Sequence, residues 1–190
     1  MSKQSNGMMA SVFVGISVDG FMARRNGDID FLPGDSAEPH GFEEFITTID
    51  AHVIGRNTFE WCLKWMRQHP ESGWPYGKKP VIVLSSRALD LSEIRGGNVE
   101  HMSGEPQEIV AKLSGRGWKH LYVDGGVTIQ RFLRAGLIQK MIITRVPVLI
   151  GEGLPLFGSL PHDVRLTHLA TKHFSSGLVT TEYRIAGSDE

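Results

Sequence analysis

A chain of 190 residues, 41% hydrophobic and 22% charged, is long enough to bury one core of ordinary domain size. Its 20 Lys and Arg against 21 Asp and Glu give a formal net charge of -1, which speaks against a nucleic-acid binder or a basic membrane-surface protein. A single cysteine, Cys62, excludes an internal disulfide framework and a thiolate metal cage. No apolar run approaches a bilayer span, and the opening MSKQSNGMMA lacks a secretory apolar segment. The expectation is a flexible lead-in over residues 1–9, then one cytoplasmic domain over residues 10–190.

In chain order, short runs rich in β-branched residues predict buried strands at Ser11 to Ile16, Ala51 to Ile54, Pro80 to Leu84, His120 to Val123 and Lys140 to Ile150. Helical periodicity lies between them. Phe42, Phe45, Ile46 and Ile49 share one face, as do Ile109, Val110 and Leu113, and then Ile129, Phe132 and Leu133. Near the end, Leu166 to Phe174 and Leu178 to Ile185 alternate around Ser175-Ser176-Gly177, the pattern of an antiparallel hairpin. The predicted fold is α/β: a mainly parallel central sheet flanked by helices, closed by a C-terminal antiparallel hairpin.

Ligands of open α/β sheets bind beyond the carboxyl ends of the strands, and three junctions carry suitable chemistry there. At Ile54-Gly-Arg-Asn-Thr58 a strand meets a helix whose N–H groups suit a phosphate. Gly55 permits close approach and Arg56 adds a cation; Asn57 and Glu60 have capping-box spacing. At Val81 to Arg87, Ser85, Ser86 and Arg87 could hold a phosphate monoester. At Val123-Asp-Gly-Gly-Val-Thr128, Gly125 and Gly126 clear space for a pyrophosphate, with Thr128 placed to cap the helix. Each junction also reads as an ordinary capped turn; three on one sheet favour a long anionic ligand.

Asp19, in Ser17-Val-Asp-Gly20, or Glu44 could hydrogen-bond the polar edge of a heterocycle, with Asp30 another candidate and a turn or a solvated helix face as the plain alternatives. The eight histidines show no close metal spacing, and no metal is expected; His168 and His173 fit a strand surface. Cys62, among Trp61, Leu63 and Trp65, reads as a packed or surface thiol.

Taken together, Phe13 to Ala23 resembles the S-x-D-G-x-[IM]-A opening of riboflavin-biosynthesis reductase domains and their dihydrofolate reductase-like relatives. Gly27-Asp-Ile-Asp-Phe-Leu32, Ile54-Gly-Arg-Asn-Thr-Phe59, Val83 to Arg87, Asp124 to Ile129 and Pro147 to Phe157 resemble that family's later motifs, in order, over nearly the whole chain. The resemblance implies a dihydrofolate reductase-like fold, NADPH as hydride donor and a homodimer. It assigns Gly55, Arg56 and Thr58 to the cofactor's phosphates, and Ser85, Ser86 and Arg87 to its 2′-phosphate end. It gives Gly125, Gly126, Thr128 and Ile129 to the pyrophosphate, and sets Gly15, Met22 and Ala23 beside the nicotinamide. Asp19 falls on the substrate side as the catalytic candidate, and Phe45 is the pocket phenylalanine. Gly41 stands where dihydrofolate reductases keep an acid one turn before that phenylalanine, which points away from folate. The deaminase often fused to riboflavin reductases binds zinc through H-x-E together with C-x-x-C, and with one cysteine this sequence has no C-x-x-C. The implied activity is a stand-alone NADPH-dependent reduction of a small pteridine- or pyrimidine-like heterocycle or a carbonyl compound, with proton delivery by Asp19 or water. Nucleotide binding without turnover is the alternative, and a homodimeric scaffold is a third.

Overall fold

Strand and helix alternate along a computed structural model that describes residues 7–34 and 40–185. The first strand, β1 (Met9–Ser17), turns into a short β2 (Phe21–Ala23). Helix α1 (Phe42–Thr48), β3 (Ala51–Gly55), α2 (Arg56–Gln68), β4 (Val81–Leu84) and β5 (Val99–Met102) follow. Then come α3 (Pro106–Ser114), β6 (His120–Asp124), α4 (Gly126–Arg134), β7 (Lys140–Val146), β8 (Leu154–Pro155), β9 (Leu166–His173) and β10 (Val179–Ile185). Eight strands form one sheet in the order β5-β4-β3-β6-β1-β7-β10-β9, and β2 pairs with β8 alongside it. The pairings from β5 to β7 are parallel, whereas β10 and β9 are antiparallel.

Period-two alternation decides which helix covers which side chain. Val12, Val14, Ala51, Val53, Leu121 and Val123 face α3 and α4, where they bury Ile109, Leu113, Ile129 and Phe132. On the other face Ile54, Val81 and Val83 meet Phe59, Cys62 and Leu63 of α2. Phe13, Tyr122 and Ile142 meet Phe45 of α1 and the adjoining Ile49. Both faces of the parallel strands are therefore covered, which is why those strands read as nearly continuous apolar runs.

Several boundaries differ from the sequence expectation. Residues 1–6 of the expected lead-in lie outside the described residues, but Met8 is buried and Met9 opens β1, because the strand extends to pair with His120 of β6. The apolar run Lys140 to Ile150 pairs only as far as Val146, and Pro147, which has no N–H to give a ladder, starts a turn closed by Val148 N–H to Val146 O at 2.7 Å. Helix α2 starts at Arg56 with Gly55 as its N-cap and no side-chain cap, so the Asn57–Glu60 box does not form. Helix α4 likewise starts at Gly126, which puts Thr128 inside its first turn rather than at the cap. Among the described residues a capping box forms at α3, between Glu105 and Glu108.

Candidate active site

The carboxyl ends of β3 and β6 are locked together by their glycines. A Cβ on Gly55 would sit 2.6 Å from Thr128 Oγ1, and one on Gly125 would run into Thr58 Oγ1. Each turn's glycine therefore accommodates the other turn's threonine. Gly125 also has φ 91°, a conformation that costs an L side chain dearly. Gly126 lies against the β2–β8 ribbon: a Cβ there would be 3.2 Å from Pro155 O and 3.6 Å from Met22 Sδ. The structure thus brings Met22, Gly55, Thr58, Gly125, Gly126 and Thr128 to one place, at the N-termini of α2 and α4. Ile129 is close in sequence, but its side chain is fully buried in the core and its N–H is already donated to Gly125 O. Ala23 is also buried, with its carbonyl against Gly153.

The β4 tip is organised differently. Arg56, expected to be free for phosphate, spends its guanidinium on the neighbouring loop. Nε donates to Ser85 Oγ at 3.0 Å, Nη2 to the carbonyls of Arg87 and Ala88 at 2.7 Å each, and Nη1 to Glu60 at 3.3 Å. The Ser85 hydroxyl is consumed too, donating to Arg87 O at 2.7 Å and accepting from Arg87 N–H. Ser86 and Arg87 remain exposed, and the Arg87 guanidinium has no partner among the described residues. Arg56 and Ser85 shape this loop; Ser86 and Arg87 are its outward donors.

A cavity of about 210 Å³ opens beside Gly15, between β1 and β7. Phe13, Leu32, Pro33, Phe42, Val146 and Leu178 form its apolar walls, and Thr144 and His40 supply polar groups. A Cβ on Gly15 would lie 2.9 Å from Leu32 Cδ2, so glycine there keeps the cavity open to the sheet. The Thr144 and Thr180 hydroxyls are paired at 2.7 Å. Phe45, expected in this pocket, instead packs into an aromatic cluster 5.2 Å from both Phe13 and Tyr122. Phe42, three residues earlier on α1, lines the cavity in its place and meets Phe13 edge-on at 5.3 Å. A second cleft of about 310 Å³ lies between the start of α3 and α4, where Arg131 already binds Gly104 O and Glu105.

Asp19 is exposed and engaged. Its carboxylate accepts Gly151 N–H at 2.7 Å and Ile150 N–H at 3.2 Å, tying the β1–β2 turn to the loop before β8. A hydrogen bond from Ser17, and then those two amides, hold its carboxyl below the usual range. It is ionised at neutral pH and is a poor proton donor as it stands. Asp30 pairs with Arg24, and Glu43 and Glu44 are solvated. Among the described residues no group of three or more His, Cys, Asp or Glu side chains is placed to hold a metal ion. No helix of these residues is long and apolar enough to cross a membrane.

Asp124 escaped the sequence reading of functional side chains. It ends β6 directly beneath the glycine pair, where Gly125 N–H donates to Oδ1 at 2.7 Å and the Tyr76 hydroxyl to Oδ2 at 3.0 Å. Burial holds this carboxyl above the usual range, against the pull of those two bonds. An acid at a strand tip was the available signal.

This arrangement is matched by known proteins. The model of the RibD C-terminal domain covers residues 10–180. The chain belongs to the RibD C-terminal domain family. That is a reductase-domain family, and it sets the protein among oxidoreductases. A crystal structure of a candidate riboflavin biosynthesis protein from Shewanella sp. PV-4 is 34% identical with a TM-score of 0.84, covering 95% of this chain and all of that one. The uncharacterized protein YyaP of Bacillus subtilis is 28% identical over 178 residues, 90% of this chain and 92% of its own. Dihydrofolate reductase from Enterococcus faecalis, complexed with NADP(H) and RAB-propyl, is 20% identical with a TM-score of 0.59, covering 95% of this chain and 98% of its own. The fold is dihydrofolate reductase-like, as the order of motifs in the sequence implied.

Proposed function

We propose that this RibD C-terminal domain is an NADPH-dependent reductase acting on a small, flat heterocyclic or carbonyl substrate held over Gly15. The observation that carries the reading is the interlocked pair of turns. Both helix N-termini present unpaired N–H groups and partial positive charge, and glycine at 55, 125 and 126 leaves their backbone bare. A pyrophosphate fits such a cradle, and side chains at those positions would fill it.

Gly55, Thr58, Gly125 and Gly126 would hold the pyrophosphate. Ser86 and Arg87 would hold the 2′-phosphate, with Arg56 and Ser85 fixing the loop that presents them. Met22 and Gly15 would border the nicotinamide, which supplies a hydride when bound. Phe13, Leu32 and Phe42 exclude water from the cavity, and its volume, of the order that holds a single aromatic ring, suits a planar substrate. The ionised state of Asp19 leaves water as the proton source, with Asp19 ordering the loop at the cavity's edge.

Subunit pairing belongs to the same proposal. Strand β9 forms the sheet edge with every residue exposed, Leu166 and Leu169 included, and unpaired edges of this kind attract a second chain. A cytoplasmic homodimer is the expected form, which sedimentation would test directly.

The test of activity follows reduced-cofactor absorbance against a panel of pteridines, pyrimidines and small carbonyl compounds. Oxidation with any of them supports the reading. NADPH binding without turnover favours the alternative of a nucleotide-binding protein, to which the ionised Asp19 lends weight. No binding of NADPH to folded protein overturns both.

A further inference from the structure

One titratable group near the cradle has no part in the scheme above. The Asp124 carboxylate is turned onto Tyr76, which arrives from the connection between α2 and β4 and packs its ring 4.6 Å from His52. Three further titratable groups lie around the pair: Cys62 from α2, Tyr122 from β6 and, behind Tyr76, His52 from β3. None of them is a cation at neutral pH. Burial pushes the Cys62 thiol up to about 12 and both phenols well above their usual value, while His52, brought down to about 4 first by burial and then by Lys79, stays neutral. Both His52 ring nitrogens are buried without a hydrogen-bond partner among the described residues, which disfavours a charged imidazole there. Asp124 is nonetheless one residue from the turn assigned above to the pyrophosphate, and its Oδ1 fixes the Gly125 N–H.

We propose that dinucleotide binding at the Gly125–Gly126 turn is coupled to proton uptake by Asp124, with Tyr76 positioning the carboxyl that receives the proton. The inference rests on the cofactor reading above. A bound pyrophosphate adds negative charge beside a half-buried carboxylate that has no counter-cation among the described residues, and like charges in one site favour the protonated acid. The proton comes from water and returns to it on release; no bond of the cofactor changes. The acid retains an acceptor oxygen for Gly125 N–H, so the turn keeps its shape in both states.

Calorimetry of NADPH binding in buffers of different ionisation enthalpy, from pH 5 to 9, measures the uptake. If bound pyrophosphate moves the carboxyl's midpoint by about one pH unit, wild-type protein takes up a maximum of about half a proton per site. The Asp124→Asn variant is expected to bind with that component gone. Repeating both titrations with NADH removes the cofactor's own 2′-phosphate titration from the comparison. Tyr76→Phe deletes a bond that favours the carboxylate, so its uptake maximum moves to higher pH, a change that mere loosening of the loop would not produce. In wild-type protein, where folding is not in question, a protonated-carboxyl infrared band should grow as NADPH is added. Tight binding with no uptake, or equal uptake in Asp124→Asn, overturns the proposal while sparing the cofactor reading. Failure of the wild-type protein to bind NADPH overturns the cofactor reading and the coupling with it.

Discussion

The two places assigned to phosphate groups are built on opposite principles. At the tips of β3 and β6, the backbone is bare, the glycines and threonines interlock, and no cation takes part. At the tip of β4, the backbone is stitched by Arg56 and Ser85, and an exposed guanidinium projects from the result. The first is specified by shape and tolerates almost no added atom. The second is specified by charge and tolerates motion of its outer side chain. Under the proposed function, recognition common to all dinucleotides would belong to the first, and discrimination by an extra phosphate to the second.

Substitutions should separate them. The largest effect is expected from Gly125→Ala, which combines a φ of 91° with a methyl group directed at Thr58. It should cost about 1–3 kcal/mol of stability and weaken NADPH and NADH alike by about a hundredfold or more, read from melting curves and fluorescence titration. A selective loss of NADPH alone would erase the contrast. Next comes Arg56→Ala. Losing its bonds to the carbonyls of Arg87 and Ala88 should lower stability by about 2 kcal/mol and weaken NADPH through the misplaced loop. An unchanged melting temperature with both cofactors weakened equally would mean that Arg56 touches phosphate directly. Arg87→Ala should weaken NADPH about tenfold, the scale of one charge-assisted hydrogen bond, and leave NADH and stability unchanged. Equal loss for both would remove Arg87 from the 2′-phosphate.

The smallest effect concerns pH. The folded-state pKa of Asp19 is depressed, so its contribution to stability is present above the unfolded value of about 3.9 and is lost as pH falls through the folded one. The difference in melting temperature between wild type and Asp19→Asn should shrink from pH 7 to pH 3. A difference that grows on acidification would contradict the hydrogen-bonding pattern around it.

How much of this was legible in the sequence follows from what each feature depends on. The strands of the parallel sheet were readable because burial on both faces writes itself as runs such as Val81 to Leu84. Strand β5 was not, since Val99-Glu-His-Met102 is half-buried at the sheet edge and has no apolar run; Glu100 faces Arg116 instead. The glycines of the cradle were visible as residue types, but their interlock with Thr58 and Thr128 requires two turns some 70 positions apart to meet. The cavity was hidden for the same reason: Gly15, Thr144 and Leu178 become neighbours only through pairing of β1, β7 and β10. The engagement of Arg56 was not legible because a cation at a helix start looks available until the carbonyls that it binds are known. Asp124 was passed over because its role depends on Tyr76, from a connection with no regular structure.

The sole cysteine has a practical consequence. Buried on the inner face of α2 with its thiol pKa pushed up to about 12, Cys62 should resist maleimides and disulfide reagents in the folded protein. A single engineered cysteine in place of exposed Ser86 would then be the only reactive handle, so one fluorophore could report occupancy of the β4 tip without background labelling.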